Sequence, residues 1–471
     1  MFKEKVKTSI IIVLIINLVF LTYQSWFKSG ILGSDWPYFS FSDLPFVRIF
    51  QRDSFVSVPK ENLSKPRKIV VNDGDLWVPY YNSDVAFDRL DENTSIVLKS
   101  LLGGRVEKEE QINYTEWIEL LTEKSVYVEY PIAVEPRMLA LVLNTDFERL
   151  PSDIGIINDA IIIPAAADNE VYVALRDANT NEAYKFLVKD EGISFPQEVL
   201  AMYTDKYRRD GYYEFAFNTL LGEGLGENSV KVADLVLFSD NESVYRDIKG
   251  TNPMTGKNHA QLLQSFSFNP KPLRYYSDGY GADNYVENYA TVTIFPDGYI
   301  EYSAVDAEKG IDLGGYADNE YETLNRAIDF AEKVWSSVSS EPLEVLVSGI
   351  EKTEAGNRFV LDYYYGGREI AVEIAKEGRD SLYHAIEIET AGGKIVSYRQ
   401  YLRSYTEANT ATSQENFMLA LDYFVSQFGA EAGNVITDLY PGYFDSGETE
   451  GVLKTTWLCE KNNQEQRYPK K

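Results

Sequence analysis

DNEYETLNRAIDFAEKVWSSV, residues 318–338, places Tyr321, Leu324, Ile328, Ala331, Trp335 and Val338 at steps of three and four. That spacing lines six apolar side chains along one face of a helix, and Asp318 stands where an N-cap belongs. Short apolar runs follow at 343–347, 359–364, 369–374, 385–389 and 395–401. Gly366-Gly367 and Gly392-Gly393 mark turns between successive runs, since paired glycines accept the positive φ of a two-residue hairpin loop. The stretch predicts a helix lying on an antiparallel meander.

The pattern then starts again. Thr412-Ser413-Gln414-Glu415 reads as a capping box, Phe417, Leu421, Phe424 and Phe428 form a second apolar stripe, and Gly429 closes it. Strands at 435–440 and 452–458 complete a shorter copy. Residues 316–471 are expected to form a C-terminal domain made of a duplicated helix-plus-meander unit, 316–405 and 406–471.

Residues 195–315 read as a β-rich middle domain. It has a strand at 235–238 and a hairpin across 291–305 that pivots on Pro296-Asp297-Gly298. Residues 67–194 read as an N-terminal α+β domain. It opens with a strand at 68–71, a helix over 84–102 stopped by Gly103-Gly104, and a short helix at 116–123. Strands are expected at 125–130, 138–143, 160–163, 171–175 and 183–188. Helices and strands mix without a βαβ rhythm, so the class is α+β with antiparallel sheets and packed helices. Residues 30–66, with WPYFSFSDLPF at 36–46, show neither period and read as a juxtamembrane connector.

The 471 residues hold 45 lysines and arginines against 73 acids, a formal charge of −28. That sign argues against nucleic acid as a partner. A single cysteine, Cys459, excludes a disulfide framework and multi-thiolate metal sites. Two histidines, His259 and His384, are too far apart in sequence for a helical metal motif.

Residues 8–27 carry no charge. At 1.5 Å per residue a helix of that length covers roughly 30 Å, the thickness of a bilayer core. Lys3, Lys5 and Lys7 precede it and place the N-terminus in the cytoplasm. Residues 1–29 are therefore expected to be a cytoplasmic N-terminus and one transmembrane helix. A cleaved signal peptide has a shorter apolar region and a small-x-small exit, whereas the exit here reads TYQSWFKSG, so an uncleaved anchor is expected. The rest of the chain then lies outside the cell membrane. Asn17 is the one strongly polar residue mid-span and would seek a partner helix.

No catalytic constellation emerges. GTNPMTGK, 250–257, has five residues between its glycines where a phosphate loop has four, and Asn258 replaces the serine or threonine that reaches magnesium, so it reads as a turn. Gly222, Gly224 and Gly226 lack the third glycine of a dinucleotide fingerprint. No GxSxG elbow is present. Glu387 with Glu389, and Asp278 with Asp283, are pairs that glycoside hydrolysis or calcium binding would use, but 73 acids make such pairs common. His259 and His384 read as structural or exposed, and Cys459 as a buried small hydrophobe. No cofactor or metal site and no enzymatic activity are expected.

Four stretches carry a family likeness: KVKTSIIIVLIINLVFLTYQSWF (5–27), LVLFSD (235–240) with NPKPLRYYSDGYGADNY (269–285) and the hairpin ending Gly298-Tyr299-Ile300-Glu301-Tyr302, the helix and meander of 318–405, and ITDLYPGYF (436–444) followed by Lys454-Thr455-Thr456-Trp457. Together they resemble the YycH family, related to the smaller YycI family. Thr456 stands where the family commonly has a proline. The resemblance implies a non-enzymatic accessory protein of the WalK (YycG) sensor histidine kinase, which controls cell-wall metabolism in Gram-positive bacteria. It implies a YycI-like partner outside the membrane and contact between the single helix and the kinase's transmembrane helices, for which Asn17, Leu18, Leu21 and Trp26 are the candidate residues. Two other readings are an envelope-polymer hydrolase using Glu387 and Glu389, and a sensor binding a ligand or peptide at 363–365 or 275–285.

Overall fold

The computed structural model describes residues 65–471 except 82–85, 149, 151–153, 168, 179, 181, 194–199, 201–202, 205–212, 216–235, 239–243, 270–273, 288, 315–319, 414–415, 429–435, 448–450, 462–466 and 471. The uncharged stretch 8–27, nearly all of the connector, Asn17, Leu18, Leu21 and Trp26, the cap position Asp318 and the glycines at 222, 224 and 226 lie outside the described residues. Among those described, no helix is long and apolar enough to cross a membrane.

The first sheet uses β1 (Lys68–Asn72), β2 (Trp77–Tyr81), β3 (Val106–Ile112), β4 (Ser125–Val134), β5 (Ile157–Pro164), β6 (Glu170–Asp177) and β7 (Ala183–Lys189), in the antiparallel order β2-β1-β4-β5-β6-β7-β3. Helix α1 (Phe87–Leu102) buries Leu90, Val97, Leu98 and Leu101 with Ile69 and Val71 on one face. Helix α2 (Tyr114–Thr122) buries Trp117, Leu120 and Leu121 with Val70, Tyr127 and Ile161 on the other. With both faces covered, β1 is buried along its whole length. Asn113 starts α2 with a capping box, its side chain accepting from Glu116 N at 3.0 Å while the Glu116 carboxylate accepts from Asn113 N at 2.7 Å.

One local expectation fails here. Of residues 138–143, expected as a strand, 138–142 belong to helix α3 (Pro136–Val142) and Leu143 is its C-cap. A short apolar run has no period of its own, and Pro136 in the first turn supplies a preset helical φ. The sheet edge is closed by β3, a charged segment whose strand identity comes only from pairing with β7.

The remainder contains β8 (Tyr213–Phe215) paired with β9 (Val236–Phe238), then β10 (Val244–Thr251), helix α4 (Ala260–Ser265), β11 (Arg274–Ser277), β12 (Asp283–Glu287), β13 (Ala290–Ile294), β14 (Tyr299–Ala304) and β15 (Ile311–Asp312). Helix α5 (Glu320–Val338) precedes β16 (Glu344–Lys352), β17 (Gly356–Tyr365), β18 (Arg368–Val372), β19 (Ile386–Ala391), β20 (Lys394–Tyr401) and β21 (Ser404–Ser413). Helix α6 (Phe417–Phe428), β22 (Ile436–Asp445), β23 (Val452–Leu453), β24 (Thr455–Lys461) and β25 (Tyr468–Pro469) complete the described elements. Thirteen strands form one sheet with the main order β11-β12-β13-β14-β20-β19-β17-β18-β22-β24-β25, with β15 added to β20 and β16 to β17. Among the described strands only β18 and β22 pair in parallel. Strands from both sides of residue 315 therefore share this sheet, with β14 beside β20. The class is α+β with mostly antiparallel sheets.

Helix α5 seats the face that its sequence spacing predicts: Leu324, Ile328, Ala331, Trp335 and Val338 are all buried. Phe330 meets Phe266 and Tyr398 edge-on, which locks α4 and α5 onto the sheet. Both Gly366-Gly367 and Gly392-Gly393 have positive φ, as a tight hairpin loop requires.

The second cap is different from its sequence reading. Thr412 and Ser413 end strand β21, where Thr412 pairs with Tyr245 and donates its hydroxyl to Asp247 at 2.7 Å. The helix α6 begins after Asn416, whose carbonyl accepts from Ala420 N. Long-range pairing with β10 takes the residues that local capping would have used.

Candidate functional site

Glu387 and Glu389 lie on one face of β19, as alternation predicts. Cross-strand register puts Arg399 of β20 opposite Glu387, and Arg399 Nη2 lies 2.8 Å from Glu387 and 3.6 Å from Glu389. Arg358 approaches Glu387 from the other side at 3.2 Å. The two carboxylates are thus members of a ladder of ion pairs across three strands. Asp278 builds the β11–β12 turn, accepting from Tyr280 N at 2.8 Å and Ala282 N at 3.0 Å. Asp283 accepts from the Tyr275 hydroxyl at 2.8 Å and lies 3.6 Å from His259 Nδ1. Burial lowers the His259 pKa against the pull of Asp283.

In the 250–257 stretch Gly250 and Thr251 end β10 and a turn follows, with Asn252 accepting from Met254 N and Lys257 donating to the Val338 carbonyl at the end of α5. Cys459 is fully buried among Trp457, Phe417 and Phe424. Tyr363 is fully buried in a hydrogen-bond chain: Tyr398 donates to Gln400 at 2.7 Å, Gln400 to Tyr363 at 2.9 Å, and Tyr363 to the Tyr401 carbonyl at 2.8 Å. Among the described residues no cluster of histidine, cysteine and acids is able to hold a metal ion.

The structure brings together a different group of residues. Asp362 on β17 has no solvent exposure. His384 Nδ1 and Arg467 Nη2 each approach its carboxylate at 2.9 Å, and Ala385 N donates to it at 3.1 Å. Arg467 Nε lies 3.1 Å from Glu369 on β18. The Tyr440 hydroxyl lies 2.9 Å from both Glu369 and Glu460. Arg67 stacks over the Tyr440 ring at 5.3 Å, reaches Glu460 at 3.7 Å and pairs with Glu129 on β4, which also holds Lys68 at 2.9 Å. One continuous line of charges therefore runs from the first sheet into the thirteen-stranded one.

The electrostatics divide along that line. Burial works to raise the Asp362 carboxyl, yet Arg467 and His384 hold it well below the ordinary range. At Glu129 burial is likewise overcome, by Lys68 and Arg67. At Glu369 burial prevails over Arg467, and nearby Asp362 and Glu460 add to it, so the carboxyl is pushed up to about 7. The geometry agrees, because one phenolic proton on Tyr440 serves only one of the two carboxylates beside it. The second contact calls for a proton on a carboxyl group.

Sequence reasoning missed this group, whose members span residues 67 to 467 with no spacing motif. The only local signal is an acid inside an otherwise apolar strand, as with Asp362 in FVLDYY and Glu129 in SVYVEY. Arg67 also matters by position, since it stands where the predicted juxtamembrane connector passes into the first strand.

No protein-family model matches the chain, and no curated protein matches it in sequence. A solved structure does match: the crystal structure of YycH from Bacillus subtilis aligns with 89% of this chain and 98% of its own chain, with a TM-score of 0.56 and 10% identity. Identity that low speaks for the fold alone, and the likeness read from four short motifs is borne out at that level. The chain has the fold of YycH.

Proposed function

We propose that this protein is a non-enzymatic, membrane-anchored regulator of a WalK-like (YycG) sensor histidine kinase that controls cell-wall metabolism. The observation that carries the reading is the near-complete coverage of YycH, 98% of that chain, by a protein whose sequence separately resembles the YycH family. The anchor is the uncharged stretch 8–27, which leaves the N-terminus in the cytoplasm and the bulk of the chain extracytoplasmic. Its helix contacts the kinase's transmembrane helices through Asn17, Leu18, Leu21 and Trp26, and a YycI-like accessory protein binds outside.

A two-state kinase needs only a few kcal/mol of differential contact, on the order of 2–5, to shift its populations. A helix carrying one buried polar residue supplies contact of about 1 kcal/mol, and close packing adds to it. The charge line through Arg67 supports this reading, because it ties the residue that follows the connector to both sheets.

The test replaces residues 10–27 with an unrelated apolar span while surface display is retained. Kinase output in cells is expected to change, and unchanged output rejects the helix-contact mechanism. Co-purification with the kinase and a YycI-like protein tests the partners, and recovery of neither rejects them.

A further inference from the structure

One end of the thirteen-stranded sheet finishes in β11, which pairs with β12 and with no other strand among the described residues. All four residues of β11 are exposed. Sheet edges are commonly protected by charge or proline, and the first sheet follows that rule: β3 carries Glu107, Lys108, Glu109 and Glu110, and β2 carries Pro79. In β11 the two central positions are tyrosines instead. Tyr275 and Tyr276 are 57% and 53% exposed, and Tyr280 and Tyr289, in the turns at either end of β12, are 58% and 51% exposed.

Cross-strand register shows how these rings are arranged. Tyr275 shares a face with Tyr285, its ring centroid 5.2 Å away, and Tyr276 shares the opposite face with Asn284. A strand laid along β11 would meet one tyrosine on each face. The β11–β12 hairpin is acidic, with Asp278, Asp283 and Glu287 against the single base Arg274 from 274 to 287. A lysine nearby in the chain already shows what such rings favour: Lys309 Nζ sits 4.6 Å over Tyr289.

We propose that β11 is a docking edge for an extended, lysine- or arginine-bearing segment of a partner protein. The segment adds to the sheet as a further strand and lays its cations over Tyr275 and Tyr276. This goes beyond the kinase-regulator reading and does not depend on the membrane span.

The test titrates full-length protein in detergent micelles into a fluorescein-labelled Lys-Val-Lys-Val-Lys-Val-Lys peptide and follows anisotropy. Binding is expected, weakening as salt rises. It should fall at least tenfold for the Tyr275→Ser/Tyr276→Ser double variant and remain unchanged for Leu419→Ser, an exposed position on α6. An N-methylated version of the peptide keeps the charge but cannot pair as a strand, and should bind at least tenfold more weakly. Equal binding of the double variant, equal binding of the methylated peptide, or no binding by the native chain each overturns the proposal. A dimer of the chain that the double variant abolishes overturns it as well. Tyr276→Lys should weaken the peptide without moving the thermal midpoint, which separates loss of the edge from loss of the fold.

Discussion

Arg467 Nη2 lies 2.9 Å from Asp362 Oδ2, both residues are buried, and they stand 105 positions apart in the chain. The pair fastens the last described strands to the middle of the large sheet. Removing one member leaves the other charged and desolvated. Arg467→Met should therefore cost about 3–5 kcal/mol. The double variant Asp362→Leu/Arg467→Met should be more stable than Arg467→Met alone. Urea unfolding of the full chain in detergent reads both effects, and a single-variant loss below about 1 kcal/mol would show that the pair is not held as described.

Glu369 predicts a specific pH dependence. Its carboxyl is raised from 4.5 to about 7 in the folded chain. Between those values the folded state keeps a proton that the unfolded state has lost, so its contribution to stability falls as pH rises through that window. Glu369→Gln should remove the decline, which amounts to at most about 1.4 kcal/mol per pH unit. Glu129 and Asp362 act in the opposite direction. Their lowered folded values contribute stability above the ordinary carboxylate range, and it is lost on acidification in native chain and variant alike. Unfolding free energies from pH 4 to 8 separate the two trends, and parallel curves for native chain and Gln variant would refute the first.

Glu387 and Glu389 should differ sharply. Glu387 is buried between Arg358 and Arg399, whereas Glu389 is 39% exposed at its side chain. Glu387→Leu is expected to cost about 3 kcal/mol, and Glu389→Gln about 0–1 kcal/mol. A working catalytic pair would show the reverse signature, with stability nearly untouched in both variants and a measurable turnover abolished. Denaturation midpoints for the two variants decide between these outcomes.

Trp335 is fully buried and donates its indole N–H to the Glu341 carbonyl at 2.9 Å. Trp335→Ala should cost about 3–5 kcal/mol through lost burial and the cavity it leaves. Trp335→Phe restores most of the volume but leaves the carbonyl without its donor, a loss of about 1–3 kcal/mol. Equal losses for the two variants would mean that packing volume contributes little at this position.

Legibility followed the range of the physics. The α5 stripe and the Gly366-Gly367 and Gly392-Gly393 turns were readable because a helix face and a two-residue loop are set by neighbours a few positions away. At 138–143 and at Thr412 local rules allowed two outcomes: Pro136 in the first turn decided the first for a helix, and a distant strand decided the second. Thr412 suits a cap by its chemistry, but pairing with Tyr245 claims it for a ladder. At the candidate site the two acid pairs were visible as pairs, while the arginines that occupy Glu387 and Glu389 were not, because Arg358 and Arg399 reach Glu387 only through register.

By itself the sequence determined the features whose energies are local sums: the uncharged stretch 8–27 that predicts an anchor, the helical stripes, the hairpin turns and the lack of a disulfide framework. Tertiary structure alone decided which charges are buried and which tyrosines face water. Tyr363 is enclosed and Tyr275 exposed although both sit in tyrosine-rich strands, and Arg67, the Asp362–Glu369 hairpin and Glu460 join one line from three remote places. Desolvation and charge pairing depend on every neighbour within a few ångströms, and only the folded chain brings those neighbours together.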